Sequence, residues 1–176
     1  MEPSSIESST LLALSNNLAD AVERAGRAVV AVNARHRIAS SGVHWRAGVI
    51  VTAEHTVRRD EEITVMLPDN RTVAATLIGR DSSTDLAVLK IQEVELPTAE
   101  IGNTDTLKVG NLVLAVARPG ESGLSASWGV VSAKGIAQRN LCWGTTEGFI
   151  KLDLSLYPGF SGSSLVDATG TVMGIN

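Results

Sequence analysis

Ile63-Thr64-Val65-Met66-Leu67, Pro68-Asp69-Asn70 and Thr72-Val73-Ala74-Ala75-Thr76-Leu77-Ile78 decide the architecture when read together. Two runs rich in β-branched and apolar residues flank a cluster of turn formers, which is the pattern of two strands joined by a hairpin. Working outward, the same pattern recurs on both sides. Upstream lie Ala28-Val29-Val30-Ala31-Val32 and Gly48-Val49-Ile50-Val51-Thr52, and downstream Leu86-Ala87-Val88-Leu89-Lys90-Ile91. Further strands are expected over 111–117, 125–133, 148–152, 165–166 and 171–175, the last two forming a hairpin through Asp167-Ala168-Thr169-Gly170. Residues 35–41 read as a basic, polar loop, 79–84 as a second loop and 135–147 as a third that holds Cys142 and Trp143.

One helix precedes the strands. Leu11, Leu14, Leu18, Ala21, Val22 and Ala25 recur at helical spacing over 10–27, and Gly26 supplies a stop. Residues 1–9, acidic and Ser-rich, are expected to be disordered. Residues 96–107 lack periodicity and carry Pro97, Gly102 and Asn103, so they read as the linker between two halves, 10–95 and 108–176. Many short strands at close spacing give an all-β class, a sandwich or a barrel, and exclude a βαβ fold.

Composition narrows the function. A net charge of −4 with both signs dispersed argues against nucleic acid as a partner. No run approaches the ~20 apolar residues that cross a bilayer, so no membrane span is expected. The start of the chain has no Lys or Arg before Arg24 and does not read as a secretory signal, so two expectations stay open: the cytoplasm by default, or a targeting segment outside this sequence. The single Cys142 excludes an internal disulfide and reads as a small half-buried hydrophobe. His36 and His44 read as solvated loop residues, and no metal or cofactor is expected.

The chemistry concentrates in Tyr157-Pro158-Gly159-Phe160-Ser161-Gly162-Ser163-Ser164-Leu165. A Ser held between two Gly in a tight turn can be aimed outward beside exposed backbone N–H groups, as a nucleophile that creates an oxyanion requires. His55 follows a buried strand and Asp85 stands at the mouth of another. An imidazole can take the Ser161 proton, and a carboxylate on its other nitrogen fixes the tautomer. His55, Asp85 and Ser161 are therefore the candidates for base, orienting group and nucleophile. The N–H groups of Gly159 and Ser161 are the candidate oxyanion donors.

Three motifs carry a resemblance: Thr52-Ala53-Glu54-His55-Thr56-Val57, Thr84-Asp85-Leu86-Ala87-Val88-Leu89-Lys90-Ile91, and Pro158-Gly159-Phe160-Ser161-Gly162 followed by Val172-Met173-Gly174-Ile175-Asn176. In this order and spacing the chain resembles the HtrA (Deg) family of trypsin-like serine proteases from about residue 18 onward. The resemblance implies a chymotrypsin-like double β-barrel and a serine endopeptidase that cleaves unfolded or misfolded polypeptides after small aliphatic residues in protein quality control. It gives His55, Asp85 and Ser161 the triad roles and Gly159 with Ser161 the oxyanion hole. It places the uncharged Ser155 at the base of the specificity pocket, so no preference for Lys or Arg is expected. The family is usually periplasmic or otherwise extracytoplasmic, and often forms trimers. The resemblance thus implies a homo-oligomer, a trimer, but this N-terminus lacks the aromatic residues that hold such trimers and does not support one.

The chain also departs from the family pattern. Phe160 stands where Asn or Asp is usual and is expected to narrow the oxyanion approach, and Ser163-Ser164 replace a Gly-Pro pair. The sequence stops at Asn176, ahead of the strands that complete the second barrel in the family and of the PDZ domain that usually follows, so this stretch is expected to have weak or absent peptidase activity. Two other readings compete with the enzyme: an inactive relative that binds unfolded polypeptide in the same cleft, and a structural β module in which the three residues do not meet.

Overall fold

The computed structural model describes residues 5–176 apart from 37, 93 and 136–148, and the side chains from residue 9 onward. Cys142 and Trp143 lie outside the described residues. Helix α1 runs over Ser5–Gly26, starting ahead of the expected position 10.

Strands β1 (Val29–Asn33), β2 (Ser40–Arg46), β3 (Val49–Ala53), β4 (Ile63–Met66), β5 (Thr72–Asp81) and β6 (Leu86–Ile91) follow. They close into a barrel in the order β1-β2-β3-β6-β5-β4, with β4 returning to β1. The expected hairpin is β4–β5, paired from Ile63↔Ala75 to Met66↔Thr72. Barrel and sandwich, which periodicity leaves open, are separated here by closure. Val30, Val32, Ile50, Ile63, Val65, Leu67 and Leu89 fill the interior, all but inaccessible to water.

The second lobe consists of β7 (Leu112–Ala117), β8 (Ser125–Gly135), β9 (Phe149–Asp153), β10 (Ser164–Asp167) and β11 (Val172–Ile175). They form an open half-barrel in the order β11-β10-β7-β8-β9. The result is the expected double-barrel fold with its second barrel incomplete. The last turns of α1 seat Ala21 and Ala25 against Leu114, Val116, Val166 and Val172 of this sheet. Farther up the helix, Leu11 and Leu14 stand in solvent, so only the C-terminal part of the apolar stripe is used. Among the described residues no helix is long and apolar enough to cross a membrane.

Two local expectations are corrected. Residues 40–46 form β2 and not the end of a loop; Ser40, Ser41 and Gly42 hide the strand because small polar residues have little β propensity. His44 is consequently buried, not solvated. Its Nδ1 lies 2.9 Å from the Pro97 carbonyl oxygen, and its own carbonyl accepts the Ala99 N–H at 2.8 Å. The stretch that joins the two sheets is thus laid across β2. It then reaches β11, where Gly102 N–H donates to the Val172 carbonyl and Val172 N–H to that of Glu100, both at 2.8 Å.

Candidate active site

His55 sits in a single 3-10 turn, Glu54–Thr56, that continues directly from β3. The turn is pinned from beneath: the buried Thr56 hydroxyl lies 2.8 Å from the Ala53 carbonyl and 3.1 Å from Ser40 Oγ. The imidazole therefore projects from a fixed base into solvent, with its side chain 44% exposed.

Asp85 ends the turn between β5 and β6 with φ at +56°, the left-handed conformation that Asp and Asn tolerate better than most residues. The turn is built by Asp81. Its carboxylate accepts the Ser83 hydroxyl at 2.7 Å, the Ser83 N–H at 2.9 Å and the Thr84 hydroxyl at 3.0 Å. These bonds, the Ser83 hydroxyl first among them, hold the Asp81 carboxyl below the ordinary aspartate range. Asp85 is then tied to the His55 turn by three contacts. Its carbonyl accepts the Glu54 N–H at 2.9 Å, its Oδ1 accepts the His55 N–H at 2.9 Å, and its Oδ2 lies 2.7 Å from His55 Nδ1.

Ser161 belongs to the other lobe. Phe160 N–H donates to the Tyr157 carbonyl at 3.0 Å, closing a turn with Pro158 second and Gly159 third. Gly159 has φ at +91°, as a type II turn requires at that place. Gly162, at φ +81°, faces β2 so closely that a Cβ there would fall 2.2 Å from the Ser41 carbonyl oxygen. Between these glycines Ser161 Oγ stands 3.1 Å from His55 Nε2. A carboxylate only accepts, so Nδ1 carries the proton and donates to Asp85, leaving Nε2 to accept from the Ser161 hydroxyl. The structure thus brings His55, Asp85 and Ser161 into one hydrogen-bonded line.

Ser155 is not part of that line. It is exposed after β9, and while its neighbours Leu154 and Leu156 line a cavity of about 990 Å³ on the concave face of the second sheet, Ser155 does not. Phe160 does not narrow the approach to the site. Its ring is 2% exposed, packs on Ala115 and Ala117, and meets Tyr157 edge-on at 5.6 Å. The two alanines of β7 leave the space, and burial of an aromatic ring outweighs any gain from standing in solvent.

Three residues beside the site escaped the sequence reading. The fully buried Ser41 donates its hydroxyl to the Gly159 carbonyl at 2.8 Å and its N–H to the Ser161 carbonyl at 2.9 Å. Thr52 donates its hydroxyl to the Ser41 carbonyl at 2.6 Å. Arg118 donates its N–H to Ser41 Oγ and its Nε–H to the Val29 carbonyl, both at 2.9 Å, and its Nη2 to the Gly26 carbonyl at 3.3 Å. Burial of this guanidinium lowers its proton affinity. The local sequence carries no signal for Ser41, one of two adjacent serines in a strand that also holds Gly42, His44 and Arg46.

Residues 40–175 match the family model described as a trypsin-like peptidase domain. The chain belongs to that family. Within the trypsin-like peptidases its resemblance runs to the HtrA and DegP proteins. A "Probable periplasmic serine endoprotease DegP-like" of Pseudomonas savastanoi pv. phaseolicola is 46% identical over 129 residues, 73% of this chain and 26% of that protein. A protein of the same name from Chlamydia pneumoniae is 41% identical over 73% of this chain and 26% of its own length. The trypsin-like domain described here thus spans about a quarter of the length of the curated relatives it matches. Among solved structures, the HtrA-type protease AlgW with a tripeptide has a TM-score of 0.80 at 38% identity, covering 90% of this chain and 53% of that one. The serine endoprotease from Yersinia pestis has a TM-score of 0.77 at 37% identity, covering 90% and 56%.

Proposed function

We propose that this chain carries the catalytic centre of an HtrA-type serine endopeptidase that hydrolyses peptide bonds in unfolded or misfolded polypeptides through an acyl-enzyme, working outside the cytoplasm as the names of its periplasmic relatives imply. The supporting observation is the continuous line from Asp85 Oδ2 through both His55 nitrogens to Ser161 Oγ. In this reading Ser161 Oγ bonds to the scissile carbonyl carbon while its proton passes to His55 Nε2. The carbonyl π pair moves to oxygen, where the Gly159 and Ser161 N–H groups receive it. The C–N bond breaks as His55 returns the proton to the leaving amine. Water then repeats the sequence against the ester, with His55 again as base. Asp85 holds the ring tautomer and balances the imidazolium throughout. Ser155, which the family resemblance puts at the base of the specificity pocket, is uncharged, so no selection of Lys or Arg is proposed; the preference for small aliphatic residues rests on the HtrA resemblance alone.

The test is covalent labelling by a fluorophosphonate. The proposal expects modification at Ser161, abolished in Ser161→Ala, and turnover of an unfolded protein that falls on the order of 10⁶-fold in that variant. The cavity lined by Leu152, Leu154 and Leu156 together with the polar Asp105, Lys134 and Lys151 favours a second reading, capture of unfolded polypeptide without cleavage. Binding of an unfolded chain with no labelling of Ser161 would decide for it.

A further inference from the structure

Consecutive peptide units carry the proposed oxyanion donors, and their hydrogen bonds can be followed one by one. The Gly159–Phe160 unit is held at both ends: its carbonyl accepts the Ser41 hydroxyl at 2.8 Å, and its N–H donates to the Tyr157 carbonyl at 3.0 Å. The Ser161–Gly162 unit is held in the same way. Its carbonyl accepts the Ser41 N–H at 2.9 Å, and its N–H donates to the Asn176 carbonyl at 2.6 Å. The unit between them has its Phe160 carbonyl bound by the Ser163 N–H at 2.9 Å. Among the described residues, the N–H groups of Gly159 and Ser161 alone in this run have no partner, although Gly159 is buried. Unpaired backbone donors are rare in protein interiors. Here they are the remainder of a clamp that fixes the units on either side.

One residue of the opposite lobe supplies both carbonyl contacts of that clamp. Every polar atom of Ser41 is engaged, since its hydroxyl also accepts the Arg118 N–H and its carbonyl accepts the Thr52 hydroxyl. We propose that Ser41 is a positioning residue for the peptidase reaction: it sets the tilt of the peptides around Phe160, so that the Gly159 and Ser161 N–H groups converge on one point only while the two lobes are docked. This inference rests on the serine-peptidase reading above. Without the Ser41 hydroxyl, the Gly159 carbonyl becomes a buried acceptor without its donor, a condition relieved by rotating that peptide. Phe160, anchored in the core below, keeps the loop from dissociating while its flanking peptides turn. The hydroxyl therefore controls direction more than attachment.

The test is the pH profile of Ser161 phosphonylation by a fluorophosphonate in the whole chain. In Ser41→Ala the plateau rate is expected to fall about ten- to a hundredfold, the scale of a small misplacement at a reacting centre. The profile midpoint stays at the wild-type value, because the bond between His55 and Asp85 is untouched. Where circular dichroism shows that Ser41→Ala does not fold, Ser41→Cys replaces it. Cys conserves the shape with a weaker S–H donor, and its plateau is expected to fall at least threefold at an unchanged midpoint. A wild-type plateau in the folded variant, or a displaced midpoint, overturns the inference. A wild-type chain that is not labelled at all removes the peptidase reading and this inference with it. Labelling of the wild type matched by an equally fast variant removes the inference alone.

Discussion

The Asp85 carboxylate holds His55 twice, with Oδ2 at 2.7 Å from the ring Nδ1 and Oδ1 accepting the residue's own backbone N–H at 2.9 Å. Ring and backbone are thus oriented by one group. Asp85→Asn keeps an oxygen for the backbone contact and suits the φ of +56°, so the fold is expected to survive unchanged. The amide cannot fix the reactive tautomer, and turnover is expected to fall about 10⁴-fold. Kinetics and a melting curve on the same preparation check both halves of the prediction. Asp85→Ala should differ by melting at lower temperature, because Ala has no side chain to support the left-handed turn.

Gly162→Ala joins two penalties at one position. The new methyl group falls 2.2 Å from the Ser41 carbonyl oxygen and 2.4 Å from Thr52 Oγ1, on a backbone with φ at +81°. We expect a loss of about 2–4 kcal/mol in urea unfolding, together with loss of Ser161 labelling. Gly110→Ala is the control, since its φ is also positive but nothing lies within 4 Å of the added atom.

Arg118 ties the end of α1 and the start of β1 to the second lobe through the Gly26 and Val29 carbonyls, with no carboxylate partner among the described residues. Arg118→Met preserves much of the packing but leaves both carbonyls without their charged donor. A destabilisation of about 2–3 kcal/mol is expected by urea titration. Arg118→Lys, which has one donor group in place of a fork, should recover only part of it.

Stability in acid should report on the turn that carries Asp85. The folded-state affinity of Asp81 for a proton lies below its ordinary pKa of 3.8, chiefly through the Ser83 hydroxyl. A depressed carboxyl contributes its full stabilisation above the unfolded value and loses it as the pH falls through the folded one. The melting temperatures of the wild type and Asp81→Asn should therefore stay a constant interval apart near neutrality, wild type higher, and converge below pH 3.8. Calorimetry across that range measures the interval.

How much of this was legible beforehand differs from residue to residue. His55, Asp85 and Ser161 could be found because each stands at a break between an apolar run and a turn, where the chain itself marks a held but accessible side chain. Closure of the first sheet could not be found, since strand periodicity is the same in a sandwich and a barrel. Strand β2 is obscured by Ser40-Ser41-Gly42, small residues of low strand propensity, of which Ser41 meets the opposite lobe while Ser40 and Gly42 face Val32 of the first barrel. The burial of His44 arises from residues 97–99 crossing over it, a contact no local pattern announces. The burial of Phe160 is hidden from the sequence for the same reason: the room it occupies is made by Ala115 and Ala117, far away along the chain. Ser41 was overlooked because its importance lies in its partners, not in its neighbours.

The two sheets differ in one respect that bears on durability. Among the described residues, the first is a ring with no outermost strand, whereas the second is bordered by β9 on one side and by β11, bridged at Val172 to Ile101, on the other. Border strands fray at low free-energy cost, and a ring must open cooperatively. The imidazole and carboxylate hang from the ring, and the hydroxyl from the sheet that can peel. Amide exchange should accordingly be fastest in β9, and gentle warming should silence the serine while its two companions are still in place, reversibly for as long as the peeled strand meets no other chain.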